Sequence, residues 1–225
     1  SLHDALPILP AIPIVRLSDP DMSRMMAGYV LFAVLRYARD IPAFERAQRE
    51  QRWHYLHPRS PSGIRVGVLG LGELGAYTAQ ELARQGFDVR GWSRTPKAIA
   101  GIQCCNGLVS LNDFLSQSDI LVVMLPLTPQ TAGLLSAERL SRLPAGAAFI
   151  NVSRGAIVDQ AALTEALRAG QIAQATLDVF DREPLPPDDP LWRMDNVLIT
   201  PHLASVAIPA SAAQQVADKI GRAHV

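Results

Sequence analysis

The apolar run Ile64–Leu69 (IRVGVL) leads straight into Gly70–Gly75 (GLGELG), and that junction restricts the fold more than any other part of the chain. A short, continuously apolar segment suits a strand buried on both faces. A G-x-G-x-x-G turn that follows such a strand and opens a helix has a definite physical sense. Gly70 permits the tight turn, Gly72 lets an anion reach the backbone where a side chain would stand, and Gly75 lets helix and strand pack closely. Glu73 and Leu74 complete the loop. The free N–H groups and the dipole at the helix N-terminus favour a pyrophosphate there. A methyltransferase loop or a plain glycine-rich turn can look the same, so the surrounding sequence has to decide.

The surroundings alternate strand and helix. Helix is expected from about Leu74 to Gln85, closed by Gly86, and from Leu111 to Gln117 behind a Ser110 cap. Further helices are expected at Ala137–Leu143, over 161–169 behind an Asp159 cap, and at Ala207–Ile220 with Pro209 in its first turn. Strands are expected at Phe87–Trp92, Ile102–Cys105, Asp119–Leu125, Ala147–Val152, Ala175–Val179 and Val197–Thr200. This alternation predicts an α/β fold, a doubly wound parallel sheet of the Rossmann kind, as a dinucleotide-binding domain over 64–205 with a C-terminal helix in 206–220.

Residues 57–63 (HPRSPSG) read as a linker. Before it, Ile12–Leu17 reads as a strand, Asp21 or Ser23 caps a helix reaching about Asp40, and Pro42 opens a second helix, AFERAQREQRW, with a solvated charged face. The segment Met25–Leu35 (MMAGYVLFAVL) is apolar nearly all round, so its helix needs cover on more than one side. It is too short to span a bilayer. A missing domain or a partner subunit would supply that cover. Ser1–Ile8 (SLHDALPI) and Gly221–Val225 (GRAHV) resemble translated adapter sequence, so both ends are expected to be non-native.

The charges balance, with Lys+Arg 21 against Asp+Glu 21, which argues against nucleic acid or an anionic membrane as partner. Cys104 and Cys105 are adjacent and point opposite ways in an extended segment, so neither a disulfide nor a zinc site is expected. Two lone thiols fit the cytoplasm.

The tip of the second strand reads Gly91-Trp92-Ser93-Arg94-Thr95. An NAD site places Asp or Glu there for the ribose hydroxyls. Here no carboxylate stands at the tip, Arg94 can pair with a 2′-phosphate, and Ser93 or Thr95 can donate to it. NADP(H) is thus expected over NAD(H). Three later segments, 151–159 (NVSRGAIVD), 177–186 (LDVFDREPLP) and 200–205 (TPHLAS), follow sheet strands, where ligands of open α/β sheets bind. Arg154 can hold a substrate carboxylate. His202 can protonate a carbonyl oxygen, and Glu183 can orient the imidazole and favour its protonated form.

Together with VGVLGLGELG, GWSR and LVVMLPLTPQTAGLL, these segments resemble the D-isomer-specific 2-hydroxyacid dehydrogenases over roughly Pro10 to Ile220. Within that family GWSR and MLPLTPQT resemble most the glyoxylate/hydroxypyruvate reductases. The resemblance implies a catalytic trio of Arg154, Glu183 and His202. It also implies cofactor contacts from Leu125, Pro126, Thr131, Val152 and Asp178, the last facing the nicotinamide amide. It implies a small 2-keto acid as substrate and a homodimer when full length. Family members carry a further N-terminal segment that forms most of the substrate domain, so the resemblance implies that residues 9–56 are interdomain or dimerisation helices and the remnant of a largely missing substrate domain, and that this chain keeps cofactor affinity with little turnover. A non-catalytic NAD(P)-sensing or protein-binding module on the same fold is the competing reading; such a sensor has no need of Arg154, Glu183 and His202 together.

Overall fold

The computed structural model describes residues 20–206. The strand expected at Ile12–Leu17, the helix expected at Ala207–Ile220 and the two ends read as non-native lie outside these residues. Seven strands form one sheet: β1 Arg65–Leu69, β2 Asp88–Ser93, β3 Gln103–Asn106, β4 Ile120–Val123, β5 Ala147–Asn151, β6 Ile172–Leu177 and β7 Val197–Ile199. Their order is β3-β2-β1-β4-β5-β6-β7, and every neighbouring pair is parallel. The order reverses between β1 and β4, and a crevice opens at the C-terminal ends of strands on either side of such a reversal. At the opposite end the same two strands are clamped. Arg65 donates from Nε and Nη2 to Asp119 at 3.0 and 2.5 Å, and from its backbone N–H at 3.0 Å.

Successive side chains in a strand point to opposite faces, and both faces are covered here. Val66, Val68, Ile120, Val122, Ala148 and Ile150 point to one side. There they meet α1 (Pro20–Ala38) and α3 (Glu73–Arg84) through Val30, Val34, Ala79 and Leu82. Leu69, Leu121, Val123 and Phe149 point to the other side, against α4 (Leu111–Ser116), α5 (Ala137–Leu140) and α6 (Gln160–Arg168). The doubly wound parallel sheet expected from the alternation is the fold observed.

The helix starts differ from expectation in places. The first helix begins at Pro20, which puts Ser23 inside its first turn as a buried residue rather than at the cap. Ser110 lies in a 3-10 turn, and its hydroxyl donates back to the carbonyls of Asn106 (2.8 Å) and Gly107 (3.1 Å), so it caps nothing. Asp159 does cap α6, accepting from Ala162 N at 3.0 Å. The charged helix α2, Ile41–Arg49, stops short of Trp53, and Arg36 on α1 grips its Glu45 through both guanidinium nitrogens at 2.6 Å.

The need of α1 for cover on two sides is half met. Its inner face is buried, while Phe32 (52%) and Leu35 (38%) stay exposed, and with Gly28 and Ile41 they wall a groove of about 520 Å³. Among the described residues no helix is long and apolar enough to cross a membrane.

Candidate active site

The crevice between β1 and β4 begins at the glycine turn. Gly70 has φ +118, and a Cβ there would lie 2.7 Å from the carbonyl of Met124, just past β4. A Cβ on Gly75 would lie 1.8 Å from the Gly70 carbonyl oxygen. These two glycines let the turn lie against β4 and α3 against the turn. Gly72 differs: it is exposed, and a Cβ there meets nothing within 4 Å. It stands at the N-cap of α3, beside the N–H groups of the first helical turn. The space a Cβ would occupy is thus the approach to an anion cradle, and the turn fits a pyrophosphate. Glu73 is exposed in that first turn and Leu74 is half-buried against the α1 side of the core. Gly70 N–H donates to Trp92 O at 2.9 Å, which pins the turn to the tip of β2.

The β2 tip is divided between core and surface. Trp92 is buried and its Nε1 donates to Gly107 O at 3.0 Å, so its ring holds the core rather than facing a ligand. Ser93 is buried too, and its single hydroxyl proton goes to Thr95 O at 2.7 Å. The hydroxyl that the sequence suggested as a donor is thus engaged within its own turn. Arg94 and Thr95 are exposed, and Lys97, a cation that sequence reasoning passed over, is exposed in the same turn.

On the next strands the expected cofactor residues serve partly as framework. Leu125 and Val152 are buried core residues, one on each face of the sheet. Pro126 is exposed just past β4. Thr131 shapes the following turn, donating to Pro126 O at 2.6 Å and accepting from Thr128 N at 2.8 Å.

The three expected catalytic side chains follow β5, β6 and β7. Because the sheet is parallel, all stand at the edge that carries the glycine turn. From β2 to β6 is four strand spacings, roughly 19 Å, so only an extended ligand can touch both ends. At the end of β5, Asn151 accepts from Ser153 N (3.1 Å) and Oγ (2.9 Å) and donates to Arg154 O (3.3 Å), which folds the turn that presents Arg154. The next residue, Gly155, packs so tightly that a Cβ would lie 1.8 Å from the Phe180 carbonyl carbon. Arg154 is exposed, and one of its N–H groups donates to Ser153 O at 2.6 Å. Past β6, Glu183 Oε1 accepts from Phe180 N at 3.0 Å, and Glu183 Oε2 meets His202 Nδ1 at 2.7 Å. Burial alone would push the Glu183 carboxyl upward. The hydrogen bonds from His202 and Phe180, with the charges of His202 and Arg154, outweigh it and hold the pKa below the usual carboxylate value. An ionised carboxylate only accepts, so Nδ1 carries the proton and Nε2 is the nitrogen turned away from Glu183.

Asp178 lies at the end of β6 and is 1% exposed. It accepts from Thr200 Oγ1 at 2.6 Å and from the backbone N–H groups of Leu203 and Ala204, each at 2.9 Å. Its carboxylate is chiefly committed to the loop that carries His202, a task the resemblance did not suggest. Tyr29, on α1, joins it through Thr200 at 2.5 Å.

A glycine cradle at the reversal of a parallel sheet, with a carboxylate–imidazole pair and an exposed guanidinium on the same edge, defines a dinucleotide-binding domain. Residues 31–204 match the family model described as D-isomer specific 2-hydroxyacid dehydrogenase, NAD binding domain, and the chain belongs to that family. It is 43% identical over 213 residues to a glyoxylate/hydroxypyruvate reductase A of Serratia proteamaculans (strain 568), covering 94% of this chain and 68% of that one. Among solved structures, a D-isomer specific 2-hydroxyacid dehydrogenase from Xanthobacter autotrophicus Py2 in complex with NADPH and MES is 67% identical. It superposes with a TM-score of 0.94 over 96% of this chain and 89% of that one. The NADPH-dependent glyoxylate/hydroxypyruvate reductase of Sinorhizobium meliloti, in complex with NADP and sulfate, is 35% identical with a TM-score of 0.93, covering 97% and 71%.

Proposed function

We propose that this chain carries the reductase site for small 2-keto acids, glyoxylate and hydroxypyruvate among them, which it converts to 2-hydroxy acids with NADPH. The reading rests on one observation above all: the 2.7 Å bond between His202 Nδ1 and Glu183 Oε2, on the sheet edge that also bears the glycine cradle and Arg154. Arg154 keeps four of its five donors after bonding Ser153, enough for a bidentate grip on the substrate carboxylate. When bound, the dinucleotide would be the source of the hydride that the keto carbon takes up. His202 gives the proton from Nε2 to the carbonyl oxygen, and Glu183, bonded to Nδ1, fixes the ring's orientation. The backbone N–H groups at Gly72–Leu74 hold the pyrophosphate.

Arg94, Thr95 and Lys97 form the phosphate-selecting turn, and the absence of a carboxylate in residues 92–97 favours NADPH over NADH. The exposed apolar stripe of α1 is the dimer face, and the cytoplasm is the working compartment. Single-turnover oxidation of NADPH, with protein and cofactor at equal concentration, tests the reading. NADPH is consumed with glyoxylate or hydroxypyruvate but not with acetaldehyde, which lacks the carboxylate for Arg154. Consumption that is equal with acetaldehyde, or unaffected by His202→Asn, removes the proposal.

A further inference from the structure

His202 sits in a costly backbone conformation. Its φ is +54, in the left-handed region that few residues other than glycine enter without restraint. The restraint is visible. His202 N–H donates to Asp178 O at 2.9 Å and to Thr200 O at 3.1 Å, and Leu203 and Ala204 N–H donate to the Asp178 carboxylate. Asp178 therefore gathers three consecutive amides around the histidine, the first at its backbone carbonyl and the next two at its buried carboxylate. It is in turn aimed from outside the loop. Thr200 spends its only hydroxyl proton on Asp178 Oδ1, so the 2.5 Å contact with Tyr29 has Tyr29 as donor and Thr200 as acceptor. Tyr29 lies 171 residues before Thr200, on α1. A second tie joins the same two regions, with Ser205 Oγ donating to Met22 O at 2.9 Å.

We infer that Tyr29 and Thr200 are positioning residues for His202, acting through Asp178. The phenol fixes the rotor of Thr200, Thr200 completes the shell of the Asp178 carboxylate, and the carboxylate holds the loop in which the imidazole meets Glu183. Hydrogen bonds to ionised acceptors are the stronger kind, and a low-dielectric setting makes a half-satisfied one costly. The catalytic meaning of this relay rests on the reductase reading of His202; the relay itself does not.

The test compares Tyr29→Phe, Thr200→Val and Thr200→Ser by amide hydrogen exchange at Leu203 and Ala204, the NMR signal of the His202 ring, NADPH affinity, and kcat against KM. Thr200→Val speeds exchange at both amides about tenfold or more, the factor expected for a lost hydrogen bond to a charged acceptor. Tyr29→Phe speeds it less, by roughly threefold, the factor for a neutral bond. Both shift the His202 ring signal and lower kcat, while NADPH affinity and the KM for NADPH stay within about twofold because the glycine cradle is untouched. Thr200→Ser, which keeps the hydroxyl, restores exchange and kcat. Should Thr200→Val fail to fold, Tyr29→Phe decides by the same measurements. Unchanged exchange and an unmoved ring signal in both Tyr29→Phe and Thr200→Val overturn the relay, as does a Thr200→Ser chain as impaired as Thr200→Val. Absence of keto-acid-dependent NADPH oxidation in the unaltered chain overturns the reductase reading instead, and the two failures are told apart because exchange needs no turnover.

Discussion

Replacing Gly72 and Gly75 separately by alanine divides ligand binding from packing within one six-residue turn. At Gly72 the backbone has φ −68 and ψ −172, extended geometry open to any residue, and the new methyl meets nothing within 4 Å. The loss of a tolerated N-cap and the gain in chain stiffness nearly cancel, so stability changes by less than about 1 kcal/mol. At Gly75 the methyl would lie 1.8 Å from the Gly70 carbonyl oxygen, more than 1 Å inside the closest approach a real Cβ makes. Helix α3 must move off the turn, at a cost of about 1–3 kcal/mol. For a domain of this size that lowers Tm by ~2–12 °C. The effect on cofactor is the reverse for Gly72→Ala: its methyl stands where the pyrophosphate comes down, and losing one hydrogen bond to the anion weakens NADPH binding by roughly ten- to a hundredfold. Fluorescence titration with NADPH and thermal unfolding of both variants provide the assay. A Gly72→Ala chain that binds NADPH within twofold of the original, or that unfolds as early as Gly75→Ala, refutes the assignment of the open space to an anion.

Three further outcomes are expected. Glu183→Gln keeps NADPH affinity but lowers single-turnover keto-acid reduction by about 10²–10⁴-fold, the range for a disabled acid–base couple, as rapid-mixing absorbance would record. Because the folded-state pKa of Glu183 is depressed, its contribution to stability is present above the ordinary carboxylate value of 4.5 and fades as pH falls through the lower folded value. The Tm difference between the original chain and Glu183→Gln should accordingly be seen at neutral pH and vanish in strong acid; a gap that widens on acidification contradicts the sign. The double variant Arg94→Ala with Lys97→Ala loses most of its preference for NADPH while holding NADH unchanged, by titration with each cofactor at low salt. Leu35→Glu, on the exposed stripe of α1, yields monomers in sedimentation while NADPH binding persists; an unaltered oligomeric state counts against that face as the interface.

What could be read from the sequence follows the range of each signal. Strand Ile64–Leu69, the glycine turn and helix α3 are consecutive, and local chemistry sets them, so the cradle was legible in full. Asp159 as a cap was equally local. The relay through Asp178 was not, because Tyr29 and Thr200 meet only after the sheet has brought β7 beneath α1, and each alone is an ordinary helix or loop residue. Ser93 and Ser110 mark a different limit. Both carry hydroxyls suited to the roles expected of them, and both hydroxyls are spent on nearby carbonyls, a local competition that composition does not decide. Lys97 is as local a signal as Arg94, a cation two residues past Thr95 in the same exposed segment.

Strand β7 has only three residues, all half-buried, and among the described residues the sheet ends with it. The glycine turn, by contrast, hangs from β1, which has a neighbour on each side. The proposed proton donor, His202, is thus mounted on the flimsiest rung of the ladder, and the proposed anchor for the cofactor on one of the firmest. Under mild denaturant the two capacities should part company: chemistry is silenced while the dinucleotide is still held, leaving a grip without a reaction.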